Sequence, residues 1–339
     1  MLSGRISDPN RPAFVKLLTI FDERFLQSPK GCTMRKPLVF LAGTILAVCV
    51  HSASAGEKFP RTYAEQTKQK KQIETKTEQT LTLAGMDIDT KSTLFSIATI
   101  TSGKRDADGN LTLEESIDVL QTDLSLPGGL TLQFDSANPD KAADNAVLEP
   151  LLDMLRATFK NPVTMTVDRD NHVQDLKFAN NPEETLPKQV LGFLDPVSRK
   201  KSAEQAWGFL PDRAVAIGDQ WERTEEHNLG GGQSLTYKSR YTYAGPEKLD
   251  GQTYQKFDVE RLEASYSLDP NANPMVQVPK SDLKVAKSSG VILYQPETGA
   301  VAKREAEVKI AGTLTLVING QELPGELDLS ITEKSNLLK

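Results

Sequence analysis

The chain has 339 residues, with 40 Lys or Arg against 46 Asp or Glu, a formal net charge of −6, 38% hydrophobic residues and two cysteines. That acidic balance argues against nucleic acid or anionic lipid surfaces as partners, because both select a basic face. Two cysteines and three histidines leave little from which to build a disulfide framework or a histidine-rich metal centre.

The first legible element is MRKPLVFLAGTILAVCVHSASAGE, Met34 to Glu57. It holds the three parts of a secretory signal peptide in order: the cations Arg35 and Lys36, an uncharged run from Pro37 to Val50, and small residues ending in Ala53-Ser54-Ala55. The run is shorter than the roughly 20 residues of a membrane-spanning helix, and no second one follows, so the mature chain is expected to have no transmembrane helix. Cleavage is expected between Ala55 and Gly56, with Met34 as the start of translation and residues 1–33 as an upstream extension. The expected organisation is a signal peptide at 34–55 and a single β-rich domain at 56–339, with a helical insert at about 147–210. Residues 1–55 carry seven Lys or Arg and three Asp or Glu, so the 284 residues that follow hold 33 against 43, a net of −10. Both cysteines, Cys32 and Cys49, precede the cut, so the mature chain has no disulfide and no thiol nucleophile and must hold itself together by burial. Leu46-Ala47-Val48-Cys49 also resembles a bacterial lipobox, with Val48 larger than the usual residue before the cysteine; lipidation at Cys49 would give an anchored protein in place of a periplasmic or extracellular one.

After the Lys/Gln-rich lead-in EQTKQKKQ, the sequence reads as long strands. From Ile73 to Leu83 the residues Thr75, Thr77, Gln79 and Leu81 alternate with Glu74, Lys76, Glu78 and Thr80, the period of a half-exposed strand. A second strand is expected over about 87–101. A third follows the turn KRDADGN, with Leu111, Leu113, Ile117 and Val119 on one parity, and Leu130 to Phe134 makes a fourth. Val147, Leu148, Leu151, Leu152, Leu155 and Phe159 have helical spacing, and Pro150 sets the helix start near Glu149. A hairpin with Val163, Met165 and Val167 follows, then two short helices, PEETLPKQVLGFL and SAEQAWGFL, divided at Asp195-Pro196. Strands return over about 220–227, 234–244, 253–268, 282–295, 300–318 and 322–335, with Asp250-Gly251, Thr298-Gly299 and Asn319-Gly320 at hairpin turns. The fold class implied is mostly β (α+β): long antiparallel meanders forming a curved sheet or open barrel, with the helical insert packed on its concave side.

Several constellations could carry chemistry. DADGNLTLEE, Asp106 to Glu115, has its glycine too early for a calcium loop and reads as a hairpin turn. DRDNH, Asp168 to His172, crowds possible metal ligands but lies between two alternating strands, where Asp and Asn make turns; no metal and no cofactor are expected. EEHNLGGGQS, Glu225 to Ser234, would supply His227 and Ser234 to a hydrolase, but Ser234 lacks a G-x-S-x-G setting and no helix follows the glycines, so the segment reads as a hairpin loop. Tyr237, Tyr241 and Tyr243 share one strand face, either as an aromatic platform for a ligand or as a core face with hydroxyls at its rim.

FLPDRAVAIGDQWERT carries the order L-P-x-x-x-V-x-x-G-D-x-W, occupied by Leu210, Pro211, Val215, Gly218, Asp219 and Trp221. This resembles a recurring segment of an uncharacterised family of exported bacterial β-rich proteins, a domain of unknown function, where it follows a helical stretch and opens the second set of strands. LLDMLRATFKNPVTMTVDRDNHVQDL is similar to that family too, and the likeness runs loosely from about residue 66 to the end, with Asn171 where relatives usually have a turn glycine. The resemblance brings no activity. The long amphipathic strands with their apolar helical insert, an arrangement resembling periplasmic lipoprotein carriers in outline only, point to a non-enzymatic envelope protein whose partner is an apolar small molecule or, with a filled core, another envelope protein. The mature protein is expected to give an intact mass for a chain beginning at Gly56; a mass beginning at a modified Cys49 would establish the anchored form instead.

Overall fold

The computed structural model describes residues 56–181, 196–230, 233–269, 276–318 and 320–338. The signal peptide with Cys49 and Ala55, and all but the last residue, Pro196, of the stretch that would hold the first short helix and its Asp195-Pro196 divide, lie outside those residues, and Gly56–Lys339 forms one compact unit.

Twelve strands make a single curved antiparallel sheet that is not closed into a barrel. In chain order they are β1 (Lys68–Leu83), β2 (Met86–Ser102), β3 (Leu111–Leu126), β4 (Leu130–Asp135), β5 (Val163–Val167) and β6 (Val173–Phe178), then β7 (Gln220–Gly230), β8 (Gln233–Leu249), β9 (Gln252–Leu268), β10 (Val276–Gln295), β11 (Ala300–Ile318) and β12 (Gln321–Leu338). Their order across the sheet is β6-β5-β3-β2-β1-β12-β11-β10-β9-β8-β7, with β4 pairing on β3. Two meanders therefore meet where the first strand pairs with the last, in unbroken register from Lys70 opposite Leu338 to Leu83 opposite Gly325. Tight turns hold the meanders: Ala84-Gly85 and Asp250-Gly251 both have positive φ, which two-residue hairpins of this twist require.

Helix α1 (Glu149–Lys160) lies between β4 and β5 of the first meander, and helix α2 (Pro196–Gln205) lies between the two meanders in sequence. Helix α1 places Leu152, Met154 and Leu155 with Leu148 against Leu120, Leu132 and Phe134 of β3 and β4. Arg156 binds Glu149 at 2.8 Å and Asp153 at 2.7 Å and donates to the carbonyls of Pro139 and Lys141, tying the helix to the loop before it.

The structure corrects four details of the sequence reading. Strand β1 starts at Lys68, inside the Lys/Gln-rich lead-in, because those residues pair with β2 and β12. On β3 a bulge opposite Ile97 and Ala98 inserts one residue, so the inner parity passes from Ile117 to Leu120 and leaves Val119 out of the core. Val147 precedes α1 and is 40% exposed, its place being taken by Met154. Helix α2 runs earlier than SAEQAWGFL and stops at Gln205, so Pro211 does not end it. Successive turns after Gln205 send Trp207, Phe209 and Leu210 all into the core, which a continuing helix would not do.

Leu152 is 1% exposed. Leu152→Ala is expected to cost about 2–5 kcal/mol in urea unfolding, against under about 0.5 for Val147→Ala; equal effects would contradict this placement of α1.

Candidate functional site

Register places alternate residues of every strand on the inner face that carries the helices. It divides into three zones along the strands.

The first is an aromatic plug. Phe59, from the segment before β1, stands edge-on to Tyr243 and Phe257 with centroids 4.9 and 5.3 Å apart, and Phe209 meets Phe257 at 5.3 Å and Tyr294 at 5.4 Å. The Trp207 indole donates to the Tyr63 hydroxyl at 2.7 Å, and the Tyr294 hydroxyl donates to the Pro60 carbonyl at 3.0 Å. Glu57 pairs with Val215 through both backbone bonds, at 2.8 and 2.9 Å. Residues 57–63 thus fasten the post-helical turns to the sheet. The L-P-x-x-x-V-x-x-G-D-x-W residues serve the same zone: Leu210 and Val215 are buried in it, Gly218 (φ 92°) makes the turn, Asp219 accepts from Arg213 at 2.9 Å, and Trp221 stacks on Tyr241 at 6.1 Å.

The second zone is polar. The Glu225 carboxylate, on β7, is buried and accepts from the hydroxyls of Tyr241 and Ser239 and from the Arg261 guanidinium. Gly208 is required beside it, since a Cβ there would stand 2.8 Å from Glu225 Oε1. Arg261 also lies 5.1 Å over the Tyr237 ring, and His227 meets that ring at 5.3 Å. Desolvation, then the Arg261 cation, holds the His227 imidazole below its ordinary pKa, although its side chain keeps solvent exposure. Glu333 of β12 also acts on that imidazole. Four strands lie between β12 and β7, which puts them five spacings or about 24 Å apart in a flat sheet; the sheet curls, and Arg304 of β11 reaches the Ala206 carbonyl at 3.0 Å and the Phe209 ring, in the segment that leads into β7. Near the middle of the sheet Lys71 of β1 has its pKa lowered to about 8, by desolvation first and then by Arg304 of β11, while its side chain stays partly solvent-accessible.

The third zone is apolar. Along β11 and β12 the opposed pairs Val308 and Ile331, Ile310 and Leu329, and Leu316 and Leu323 share the inner face, and Leu81 and Leu83 of β1 continue it. Among the described elements, α1 packs chiefly on β3 and β4 and α2 on β6 and β7, away from this floor. The outer face is charged, with ion pairs such as Lys238 to Glu222 at 3.1 Å and Lys287 to Glu307 at 2.8 Å, each contributing little to stability.

The residues singled out in the sequence fall as follows. Tyr237, Tyr241 and Tyr243 do share one face, but are 4%, 3% and 3% exposed. The Tyr241 hydroxyl is held by Glu225, and that of Tyr243 lies 2.9 Å from Glu57 and 2.7 Å from Gln255. Burial pushes the Tyr237 phenol up to about 12. Asp106 and Asp168 fold their carboxylates back onto the amides of their own turns, and Arg105 joins both turns by donating to the carbonyls of Gly109 at 2.7 Å and Asp168 at 2.9 Å. Among the described residues no group of three His, Cys, Asp or Glu comes together to hold a metal ion. Ser234 bonds Ser267 at 2.9 Å, and no hydrogen bond among the described residues joins it to His227. Glu225 and His227 are strand residues and not a loop; only Gly231 and Gly232 of that turn lie outside the described residues. The sequence reading missed Phe59, Glu225, Arg261 and Lys71; the one available signal was that Glu225 shares parity with Trp221.

No family model matches the chain, and no curated protein matches it. Among solved structures it is similar in outline to lipovitellin, described for lipid–protein interactions, at 11% identity and TM-score 0.40 over 82% of this chain and 26% of that one. The chain therefore spans about a quarter of the lipovitellin chain. A Bacteroides fragilis protein with a YmcC-like fold is 10% identical over 84% of this chain and 100% of that one at TM-score 0.19, and a DUF1329 family protein from Desulfovibrio piger is 10% identical over 78% and 85% at TM-score 0.13. Likenesses at these TM-scores carry no argument about function. No helix among the described residues is long and apolar enough to cross a membrane.

Arg261→Met leaves the Glu225 carboxylate buried without its cation and is expected to cost about 3–5 kcal/mol in chemical unfolding, with part recovered in the Arg261→Met/Glu225→Leu double variant; additive losses would show that the two do not form one unit.

Proposed function

We propose that the chain is an exported, non-enzymatic envelope protein that binds or carries an apolar, lipid-like ligand on the inner face of its sheet. One observation carries this reading. Lys71 and His227 sit on that face by register, opposite Leu337 and Leu235, and both keep solvent-accessible surface there, while desolvation lowers the pKa of each. Polar side chains that reach solvent from the inner face support an opening there in place of a core packed throughout. Beside them lies the apolar floor of β11, β12 and β1, the kind of wall small-molecule sites use, though its side chains are packed in this structure, Ile310 being 1% and Leu329 4% exposed.

The three tyrosines offer no free surface, since their rings are packed and the hydroxyls of Tyr241 and Tyr243 are engaged, and the floor is packed as closely, so a ligand enters this face only where side chains part. That same packing favours a second reading, an interaction module of the envelope with a filled core, for which a defined heteromeric cross-link in intact cells is the mark. The non-enzymatic reading rests on Ser234 and His227, which stand apart from each other in the hydrogen-bond pattern.

Native mass spectrometry of protein purified from the envelope fraction is expected to show a bound mass that leaves at raised collision energy and extracts into organic solvent. A stripped mass at every collision energy would sink the ligand reading.

A further inference from the structure

Five polar groups on the inner face have no hydrogen-bond partner among the described residues: the Thr122 hydroxyl and the Trp221 indole, each by itself, and the Ser335 hydroxyl, 1% exposed, the Arg304 Nε and the ammonium of Lys71, which makes no ion pair or hydrogen bond among the described residues. The last three converge on one place. Ser335 of β12 stands directly opposite Arg304 of β11 on one side and Ile73 of β1 on the other, and Lys71 is the next inner-face residue along β1, opposite Leu337. Directly opposed Cβ atoms are about 5 Å apart and diagonal ones about 7–8 Å, within reach of an arginine and a lysine aimed at the same spot. Arg304 is fixed from its far end: Nη2 donates to the Ala206 carbonyl at 3.0 Å, and the guanidinium lies 5.9 Å over the Phe209 ring. Its Nε is left without an acceptor.

The neighbouring enclosed cations have their anions. Arg261 is bound by Glu225 and Arg61 by Glu204. The carboxylates that act on Lys71 are Glu333 and Glu115, and neither pairs with it. Two cations and a buried hydroxyl without an acceptor form a site that is complete only with an anion, because unpaired buried donors are costly and natural folds seldom keep them.

We propose that Lys71, Arg304 and Ser335 seat the anionic head group, a carboxylate or a phosphate, of an amphiphile whose tail lies along the leucine floor. The tail's course follows from the register. Below Arg304 and Ser335 come Ala306 and Glu333, and then the apolar pairs from Val308 to Leu316, nine residues or about 27 Å of strand. This rests on the apolar-ligand reading and adds to it a head-group chemistry and a direction of entry. Free and occupied protein also differ in sign with pH. With a folded pKa of about 8 against 10.5 unfolded, Lys71 leaves the free protein less stable at neutral pH, and that deficit is relieved as pH rises from about 8 to 10.5. Arg304, Glu333 and Glu115 are the charged groups that face it, and an anion bound at Lys71 would reverse the deficit.

The test uses the full chain and three probes below micelle-forming concentration: dodecyl phosphate, the neutral dodecyl maltoside and inorganic phosphate, titrated calorimetrically. Dodecyl phosphate is expected to bind at least about tenfold tighter than dodecyl maltoside, the margin of one charge-assisted hydrogen bond, and Lys71→Met and Arg304→Gln to erase that margin without weakening the neutral probe. Lys71→Met is also expected to raise the urea midpoint of the free protein at pH 7, so this variant keeps the test decisive even if Arg304→Gln fails to fold. Equal binding of the anionic and neutral dodecyl probes, unchanged in Lys71→Met, would overturn the head-group seat and leave the apolar-ligand reading standing. Inorganic phosphate binding as tightly as dodecyl phosphate would overturn the tail and the apolar-ligand reading with it. A lowered urea midpoint in Lys71→Met would make Lys71 a structural residue and overturn the proposal.

Discussion

The antiparallel pairing of the first strand with the last is the constraint on which the rest of the structure depends. Bringing Lys70 beside Leu338 closes nearly the whole chain into one loop, and the entropy lost grows only slowly with loop length. A long, unbroken ladder offsets it. Because β1 sits in the middle of the sheet, the segment just before it, Gly56 to Tyr63, emerges over the inner face and can deliver Phe59 and Tyr63 to the aromatic plug. Helix α2, lying in sequence between the meanders, packs on β6 and β7, the two outer strands that this closure leaves at the edges.

Curvature then decides what the inner face can hold. A flat sheet would leave β7 far from β12, and Glu225, Arg261 and His227 would each stand in water. In the curled sheet they are turned toward β11 and β12. There an ion pair such as Arg261 with Glu225 must be fully hydrogen-bonded, because a buried charge without its partner is far more costly than one in water. That pair meets the condition. Arg304, two strands over from Arg261, and Lys71, four strands over, do not, and this difference between cations of one face separates a structural network from a candidate binding seat.

Much of the fold was legible because its strands are long and alternate with period two. Thr75, Thr77 and Leu81, or Val163, Met165 and Val167, show their shared face in the sequence alone, and Asp250-Gly251 marks its turn by tolerance of positive φ; of the Asn319-Gly320 turn, Asn319 lies outside the described residues. The site was less legible for a physical reason. Glu225, Lys71 and Arg304 occupy inner-face parity, but a charged residue in an amphipathic strand looks the same in sequence whether its face meets water or a recess. The bulge on β3 was illegible too. It arises from a one-residue mismatch with the partner strand, so Val119 and Leu120 exchange roles without any local signal. Phe59 lies in a short segment with no period, and its burial depends on residues about 150 to 235 positions away.

The sequence by itself determined the strands, their turns, the start of the first helix and the acidic, cysteine-free character of the chain after Ala55, because these follow from local conformational preference and composition. Only the tertiary structure decided which strands neighbour one another, how far the sheet curls, and therefore which polar residues are enclosed. Enclosure is a sum over distant segments, and only that sum distinguishes a solvated lysine from one that lacks a partner.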